Sequence, residues 1–467
     1  MRFDEGVAFL DEKGLLCSAT WGRQDPCAAY EIKRITHHTS KVTEGSLFCC
    51  LPGARHDGHD FAEEALKKGA VALLCERPLD IELPQILVND ARQAMAPLAA
   101  FICGFPADTL KMIALTGTNG KSTTTYLVRS VLESAGFPAG LLGTIAYHDG
   151  RIETLADRTT PESDEIQEWL SRMVKNGCKA CVMEASSHGL EQGRLWGCRF
   201  DAAGFTNLTP EHLDYHGEME TYFQAKRRLF SEFTRGEWVG AANADDPFGR
   251  RIIAEFSPNV IPYGLIAGGP GSVRANLISM NLQGIRLEIL FPGGVSARVL
   301  KIPLTGRYNI YNILSSATIA WGMGIGEEAI DRGLEKAPQV PGRLERYLFE
   351  NGVCCIIDYA HSPDALRNVL KTLGELAKGK IWSVFGMGGD RYAPNRPLMG
   401  EVASELADEL VITMDNPRSE DPASIAHQIE EGIQGGKRLA SHRSSSIVRR
   451  RSIMPWTAQN REICPGL

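Results

Sequence analysis

The stretch Leu115-Thr116-Gly117-Thr118-Asn119-Gly120-Lys121-Ser122-Thr123-Thr124-Thr125 constrains this chain more than any other, because it carries an apolar run through a glycine turn into a helix start. Met112 to Leu115 suit a buried strand, and Ser122 to Ala135 carry a helical period through Tyr126, Leu127, Val128, Val131 and Leu132. A loop between such elements aims backbone N–H groups and a helix N-terminus at phosphate oxygens. Lys121 adds charge for the outer phosphates, and the Ser122 hydroxyl is placed to ligate Mg²⁺. The common phosphate loop has glycine five residues before Gly120; here that position is Leu115, so this is a shortened variant. The reading is a nucleoside triphosphate site, against the plainer one of a Gly/Asn turn with a surface lysine.

Length and composition narrow the setting. A chain of 467 residues is too long for one core and predicts about three domains. With 43% hydrophobic and 23% charged residues it reads as globular and soluble, and a formal charge of −7 argues against a nucleic-acid partner. No apolar run is long enough to span a bilayer and the N-terminus is not a signal peptide, so the cytoplasm is expected. Of the 12 cysteines, the adjacent pairs Cys49-Cys50 and Cys354-Cys355 read as buried strand positions, and Cys178-x-x-Cys181 lacks a second pair for zinc.

The expected organisation is α/β in three blocks. Residues 1–107 form a small α/β domain ending near Gly104-Phe105-Pro106; residues 108–336 a central parallel-sheet ATPase domain; residues 337–467 a Rossmann-like domain with strands over Val353 to Ile357, Ile381 to Phe385 and Glu409 to Thr413. In the central block, polar clusters follow apolar segments, where open α/β sheets bind ligands. Glu184, in Glu184-Ala185-Ser186-Ser187-His188-Gly189, can hold Mg²⁺ opposite Ser122. His212 is either a metal ligand or a structural hydrogen-bonder. Lys226 reads from spacing alone as an exposed, salt-bridged lysine. Asn243-Ala244-Asp245-Asp246 and Arg307 to Asn312 either frame a base or serve as caps and turns.

Taken in order, Thr116 to Ser122, Glu184 to Gly189, His212-Leu213-Asp214-Tyr215-His216, Asn309 with Asn312, Gly342-Arg343 and Asp358-Tyr359-Ala360-His361 resemble the Mur ligase family of ATP-dependent amino-acid-adding enzymes, over about residues 30 to 435. Thr159-Thr160-Pro161-Glu162-Ser163, Gly386 to Arg391 and Asp415-Asn416-Pro417-Arg418 point within it to addition of the third residue of the peptidoglycan stem. The resemblance implies a small UDP-binding first domain and, as substrates, ATP, UDP-N-acetylmuramoyl-L-alanyl-D-glutamate and meso-diaminopimelate. L-lysine is the alternative amino acid, and the chain is expected to be monomeric. It carries ATP contacts to Gly117, Thr118, Asn119, Gly120, Lys121, Ser122, Thr123, Asn309, Arg343, Asp358 and His361. It places Mg²⁺ on Ser122, Glu184, His212 and a carbamylated Lys226. It assigns the UDP-sugar-peptide to Thr39, to Ala54, Arg55 and His56, to Arg158, Thr159 and Thr160, and to Ser186, Gln192 and Arg194. Diaminopimelate falls to Arg391, Asp415, Asn416, Pro417 and Arg418. Its second carboxylate needs a fixed positive fork, which the Arg418 guanidinium supplies, while Arg391 supports the amino-acid head. Two positions depart from the family's usual residues: His38-Thr39-Ser40 stands for Asp-Ser-Arg, and Arg158 for asparagine.

The last segment also departs. After Ala426 to Gly432 the resemblance calls for one more βα segment and a Gly-Lys-Gly-His-Glu loop, but from about 437 the chain gives a serine- and arginine-rich stretch ending Pro465-Gly466-Leu467. The expectation is an incomplete third domain with no further strand, from a divergent tail or a shifted reading frame. The chain is then either an active ligase or a non-catalytic nucleotide-binding remnant.

Overall fold

Strand, loop and helix meet as the opening motif requires in a computed structural model of the protein. It describes residues 1–21, 31–53, 56–266, 269, 271–293, 298–435 and 441–444, with only the backbone at 434–435 and 441–444. They fall into two compact units, Met1–Cys354 and Cys355–Leu467.

The first unit holds two large sheets. Strands β1 (Leu16–Thr20), β2 (Arg34–Thr36), β3 (Ser46–Cys49), β4 (Ala70–Cys75) and β5 (Gln85–Val88) pair in the order β1-β5-β4-β3-β2, parallel except between β1 and β5. Alternate residues feed two small cores, Leu47, Cys49 and Leu74 on one face and Phe48, Cys50 and Leu73 on the other.

The second sheet comprises β6 (Lys111–Thr116), β7 (Ala139–Leu142), β8 (Ala146–His148), β9 (Glu153–Leu155), β10 (Ala180–Glu184), β11 (Phe200–Phe205), β12 (Thr234–Asn243), β13 (Val260–Gly264), β14 (Val273–Asn281), β15 (Gly284–Leu290) and β16 (Val299–Ile302). Their order is β16-β15-β14-β13-β12-β11-β6-β10-β7-β8-β9, which sets the phosphate-loop strand β6 between β10 and β11, parallel to both. Ile113 and Leu115 join one core with Tyr126, Leu127, Val128, Val131 and Leu132 of the helix Lys121–Ser134. Met112 and Ala114 join the other, with Ile166, Leu170 and Met173 of the helix Ser163–Lys175. Both faces are therefore covered, as buried parallel strands demand. The expected all-parallel sheet is corrected at its margins, where β14-β15-β16 and β7-β8-β9 run antiparallel. Side-chain turns make these reversals: Asn281 Oδ1 accepts from the N–H groups of Gln283 and Gly284, and Asp149 Oδ1 from those of Arg151 and Ile152.

Strand β17 (Glu345–Leu348) closes the first unit and β18 (Cys354–Ile357) spans the boundary. The second unit carries the parallel sheet β19 (Trp382–Phe385), β20 (Glu409–Ile412) and β21 (Ser441–Ser444). Leu366, Leu370, Met399, Val402, Leu410, Ile412 and Ile429 form its core. Strand β21 corrects the expectation that no strand follows Gly432. Parallel pairing uses backbone groups, which serine and histidine supply as well as valine does. The remaining tail lies outside the described residues. Cys49, Cys50, Cys178 and Cys181 are buried thiols as expected, but Cys355 is exposed, so the second adjacent pair is not a core pair.

A row of ion pairs fastens the first sheet to the helix Ser163–Lys175. Arg34 meets Glu168 at 3.0 Å, Lys41 meets Glu165, and His37 gives both its backbone N–H (3.1 Å) and its ring Nδ1 (2.8 Å) to Asp164 Oδ2. Burial alone would lower His37, but the Asp164 hydrogen bond and the charges of Asp164, Glu162 and Glu165 outweigh it and hold its pKa above 6.5. Burial would raise Asp164; His37 reverses this and holds it below 3.8. The pair's contribution is therefore complete between those values, fades as pH rises through the raised His37 value, and fades again as pH falls through the lowered Asp164 value. Melting followed from pH 6 to pH 9 is expected to show stability falling by about 1–3 kcal/mol. Asp164→Asn should start less stable and lose that slope; an unchanged slope would remove the pair as its source.

Candidate active site

The carboxyl ends of β6, β10 and β11 bring the predicted groups together. Gly117 has φ +138°, and a Cβ there would stand 1.9 Å from Thr206 Oγ1; at Gly120, φ +89°, it would stand 2.3 Å from Asn312 Oδ1. Only glycine lets the loop pass both side chains. The loop is held from outside: Thr118 N–H donates to Asn207 O (2.8 Å), Asn119 N–H to Asn207 Oδ1 (3.0 Å), and the Thr206 hydroxyl to Asn119 O (2.6 Å). Ser122 and Thr123 are buried in the first helical turn. Asn312 donates to Asn309 Oδ1 (2.8 Å), and buried Asn309 donates to Thr305 O (2.6 Å), so Asn309 backs the residue that touches the loop.

Two lysines share one acceptor. Lys121 Nζ donates to Gly117 O (2.9 Å) and Thr118 O (2.8 Å), and Lys226 Nζ donates to the same Gly117 O at 2.9 Å. The expected exposed, salt-bridged Lys226 is thereby corrected: it is 1% exposed, lies 4.5 Å over the Tyr222 ring, and has no carboxylate partner among the described residues. Its helix, Met219–Glu232, turns Tyr222, Phe223, Lys226, Leu229 and Phe230 inward together. Burial, and then the charge of Lys121, push its ammonium well below the ordinary lysine pKa, so it gives up its proton more easily than an exposed lysine. Lys121 is lowered by burial, with Glu184 and Glu211 opposing and Arg343 reinforcing the shift. His212, at φ +56°, sits in the field of both lysines with its ring 5.1 Å from that of His188; burial lowers its pKa.

Glu184, at the end of β10 beside the loop-bearing strand β6, hydrogen-bonds toward the predicted acceptor side. Its carboxylate is buried and accepts from Thr144 N–H (2.8 Å) and the Thr144 hydroxyl (3.0 Å), and that hydroxyl lies 3.0 Å from Thr159 Oγ1. The Thr160 hydroxyl donates to Glu184 O (2.8 Å) and meets Ser186 Oγ at 3.0 Å. Arg194 donates to Thr160 O (2.9 Å) and Gln192 Oε1 (2.6 Å). Thr159, Thr160, Ser186, Gln192 and Arg194 are thus one network with Glu184, and Arg158 meets an internal carboxylate, Glu162, at 2.7 Å. Thr144, Tyr222 and Glu162 had no assigned part. Glu162 stood inside a quoted motif, whereas Thr144 carried no local signal. Thr39 opens a short 3₁₀ turn, and the His56 carbonyl accepts from Gly53 N–H (3.0 Å); Ala54 and Arg55 lie outside the described residues. Asn243 and Asp246 prove to be turn and cap: Asn243 Oδ1 accepts from Asp245 N–H, and Asp246 Oδ1 from Phe248 and Gly249 N–H.

In the second unit, Gly389 N–H donates to Asn416 O (2.8 Å), and Arg418, at φ +48°, reaches Gly389 O. A Cβ on Gly388 would lie 3.7 Å from Arg418 Nη1 and 3.8 Å from Arg391 Cγ, so both guanidinium chains flank one glycine, with Asp415 and Asn416 exposed alongside. Pro417 packs its carbonyl against Gly389, leaving no room for a side chain there. A buried arginine unnoticed in the sequence holds this loop: Arg396 donates to Glu420 (2.7 and 2.8 Å), Gln428 (2.7 Å) and Gly388 O (3.2 Å). Its hydrogen bond, then that of Asp390 N–H, bring Glu420 down to about 2. Asp358 Oδ1 accepts from Ala360 N–H (2.9 Å), and His361 Nδ1 lies 3.0 Å from Tyr359 O.

Among the described residues no three His, Cys, Asp or Glu side chains group as a metal cage. A buried carboxylate with no arginine partner among the described residues, Glu184 at the end of β10, and the Ser122 hydroxyl in the first turn of the helix after β6 are oxygen donors of the kind Mg²⁺ takes, one or two from protein with phosphate and water completing its shell. No described helix is long and apolar enough to cross a membrane.

Comparison with known proteins agrees with this geometry. Residues 31–102 match the Mur ligase family catalytic domain, 115–320 the Mur ligase middle domain and 342–454 the Mur ligase glutamate ligase domain. A UDP-N-acetylmuramoyl-L-alanyl-D-glutamate–2,6-diaminopimelate ligase of Geobacter sulfurreducens is 44% identical over 412 residues, covering 86% of this chain and 80% of the relative. Its namesake from Geobacter metallireducens is 42% identical over 417 residues, covering 87% and 80%. A solved structure of a ligase of that name superposes with a TM-score of 0.67 at 31% identity, covering 94% of this chain and 88% of the other.

Proposed function

Because this chain belongs to the Mur ligase family, we propose that it couples ATP hydrolysis to addition of meso-diaminopimelate to UDP-N-acetylmuramoyl-L-alanyl-D-glutamate, a step of peptidoglycan precursor synthesis. The observation that supports this most directly is the hydrogen-bonded path from Glu184, at the end of the strand paired with β6, through Thr144 to Thr159 and through Thr160 to Ser186 and Arg194. A carboxylate seated on the threonine side would lie beside the phosphates of a bound nucleotide.

The reaction has two steps. The D-glutamate γ-carboxylate attacks the γ-phosphorus of ATP, forming the acyl phosphate and releasing ADP. The diaminopimelate amine then attacks the acyl carbon, the new C–N bond forms, phosphate leaves with the C–O electron pair, and the amine loses a proton. An anion approaching a triphosphate meets like charge, so the first step needs fixed positive charge and little water. Lys121 and the N-terminus of the helix Lys121–Ser134 supply that charge. Ser122 and Glu184 would hold one Mg²⁺, and His212 with a carbamylated Lys226 a second; bound there, the metal neutralises phosphate charge. Carbamylation needs an unprotonated amine, which the lowered pKa of Lys226 brings within easier reach, and the product would be an anion close to Lys121.

The test is ATP-dependent phosphate release with the UDP-sugar dipeptide and either meso-diaminopimelate or L-lysine, with the product weighed by mass spectrometry. A diaminopimelate adduct is expected. A lysine adduct would overturn the specificity, and nucleotide binding without any adduct would leave a non-catalytic remnant.

A further inference from the structure

Glu162 collects more positive charge than it can balance. It precedes the helix Ser163–Lys175 and its side chain is 3% exposed, yet three guanidinium groups converge on it: Arg92 on Oε2, Arg158 on Oε1 at 2.7 Å, and Arg194 Nε at 3.1 Å from Oε1. One carboxylate against three arginines leaves an excess of about two charges. That excess is felt inside the cluster: burial lowers Arg194, Glu162 raises it, and Arg158 and Arg92 lower it again. A structural ion pair needs one arginine, and extra like charges around it are a cost.

The arginines are also fixed in place. The Tyr147 hydroxyl clasps the backbone of Arg158, donating to its carbonyl at 2.6 Å and accepting from its N–H at 3.0 Å. Arg194 is held by Thr160 O and Gln192 Oε1. Arg92 starts the helix Ala91–Ile102 of the other domain sheet, so the cluster is built from both sides of the first unit. The carboxylate is buried, whereas the Arg92 and Arg158 side chains keep 26% and 49% of their exposure. Arg92 lines a cavity of about 370 Å³ together with Pro52, Gln93, Gln192, Gly193 and Trp196. Three acids also border it, each engaged: Asp90 accepts from Gln93 N–H, Glu76 from Ala91 N–H, and Glu191 lies 3.3 Å from His216 Nδ1.

We propose that Arg92 and Arg158, held by the positioning residue Glu162, complete with Arg194 an oxyanion subsite for the UDP-sugar peptide, Arg92 being its contribution from the N-terminal sheet. This rests on the substrate reading above and adds Arg92 and Glu162 to it. The oxyanion is a carboxylate of the peptide or the diphosphate, the two sources sharing the chemistry of a charged, bidentate acceptor.

Calorimetric titration of full-length wild type, Arg92→Lys and Glu162→Gln with UDP-N-acetylmuramate, with its L-alanyl-D-glutamyl derivative and with ATP separates the possibilities. Each variant is expected to weaken the dipeptide form about tenfold or more with ATP affinity at its wild-type value, Tm holding in Arg92→Lys and falling in Glu162→Gln, and the loss in kcat/KM should sit in KM. An equal loss with UDP-N-acetylmuramate identifies the diphosphate; a loss confined to the dipeptide form identifies a carboxylate. Dipeptide affinity within twofold of wild type in both variants overturns the subsite, as does a fall in Tm without a change in affinity. If Glu162→Gln fails to fold, Arg92→Lys decides alone. Wild type that binds neither UDP-sugar refutes the substrate reading instead, a result distinct from variants that bind as wild type does.

Discussion

Lys226→Met is expected to lower product formation by about 10²–10³-fold or more, the scale of removing one group that stabilises charge at the reacting centre, while leaving the protein at least as stable as before. The second half follows from the burial of Lys226: an amine kept from its ordinary protonation and bonded to one carbonyl costs folding free energy that a thioether of similar volume does not. The first half follows from the proposed carbamate, in which the neutral amine attacks CO₂, a C–N bond forms and a proton is lost. Wild-type activity should therefore fall in CO₂-depleted buffer and return with bicarbonate, whereas the methionine variant should ignore both. Activity in that variant above about a tenth of wild type would rule out Lys226 as a ligand-bearing residue. A wild-type rate indifferent to bicarbonate, with no mass increase on Lys226, would rule out the modification.

Arg418→Ala is expected to raise KM for meso-diaminopimelate about 10–100-fold, the range of one charge-assisted hydrogen bond, with KM for ATP unchanged. The far carboxylate needs a planar donor, and the left-handed backbone at Arg418 with its hold on Gly389 O fixes that donor's direction. Arg418→Lys should recover only part of the loss, because an ammonium keeps the charge without the fork. Discrimination against L-lysine should shrink in step, since lysine never used the contact. Equal KM values for diaminopimelate in wild type and Arg418→Ala would move the specificity elsewhere in the loop.

What could be read from the sequence was local. The phosphate loop was legible because glycine, lysine and serine act within a few residues of one another, and the helix after it because its period is local. The strands at Cys354, Trp382 and Glu409 lay within a residue of their predicted starts for the same reason. Long-range facts were not legible. Lys226 looks like any helical lysine until Gly117, more than a hundred residues earlier, is laid against it. Thr144 has no motif, and its value comes from standing between Thr159 and Glu184. Arg396 carries no local sign of burial, which is rare for arginine; its four acceptor atoms lie on three different segments. Strand β21 has no signal in its composition, because its pairing with β20 rests on backbone groups alone.

The ion-pair row between the first sheet and the helix Ser163–Lys175 also sets an order of events during synthesis. The sheet and its covering helix are complete at Ile102, but Glu162, Asp164, Glu165 and Glu168 leave the ribosome roughly sixty residues later. At about 5–20 residues per second the delay is on the order of 3–12 s, far longer than a small sheet needs to close. For that interval the nascent domain presents Arg34, His37, Lys41 and Arg92 as an uncovered basic face. The acidic helix is thus a clasp that arrives late, and until it does the N-terminal sheet must stay folded on its own two cores.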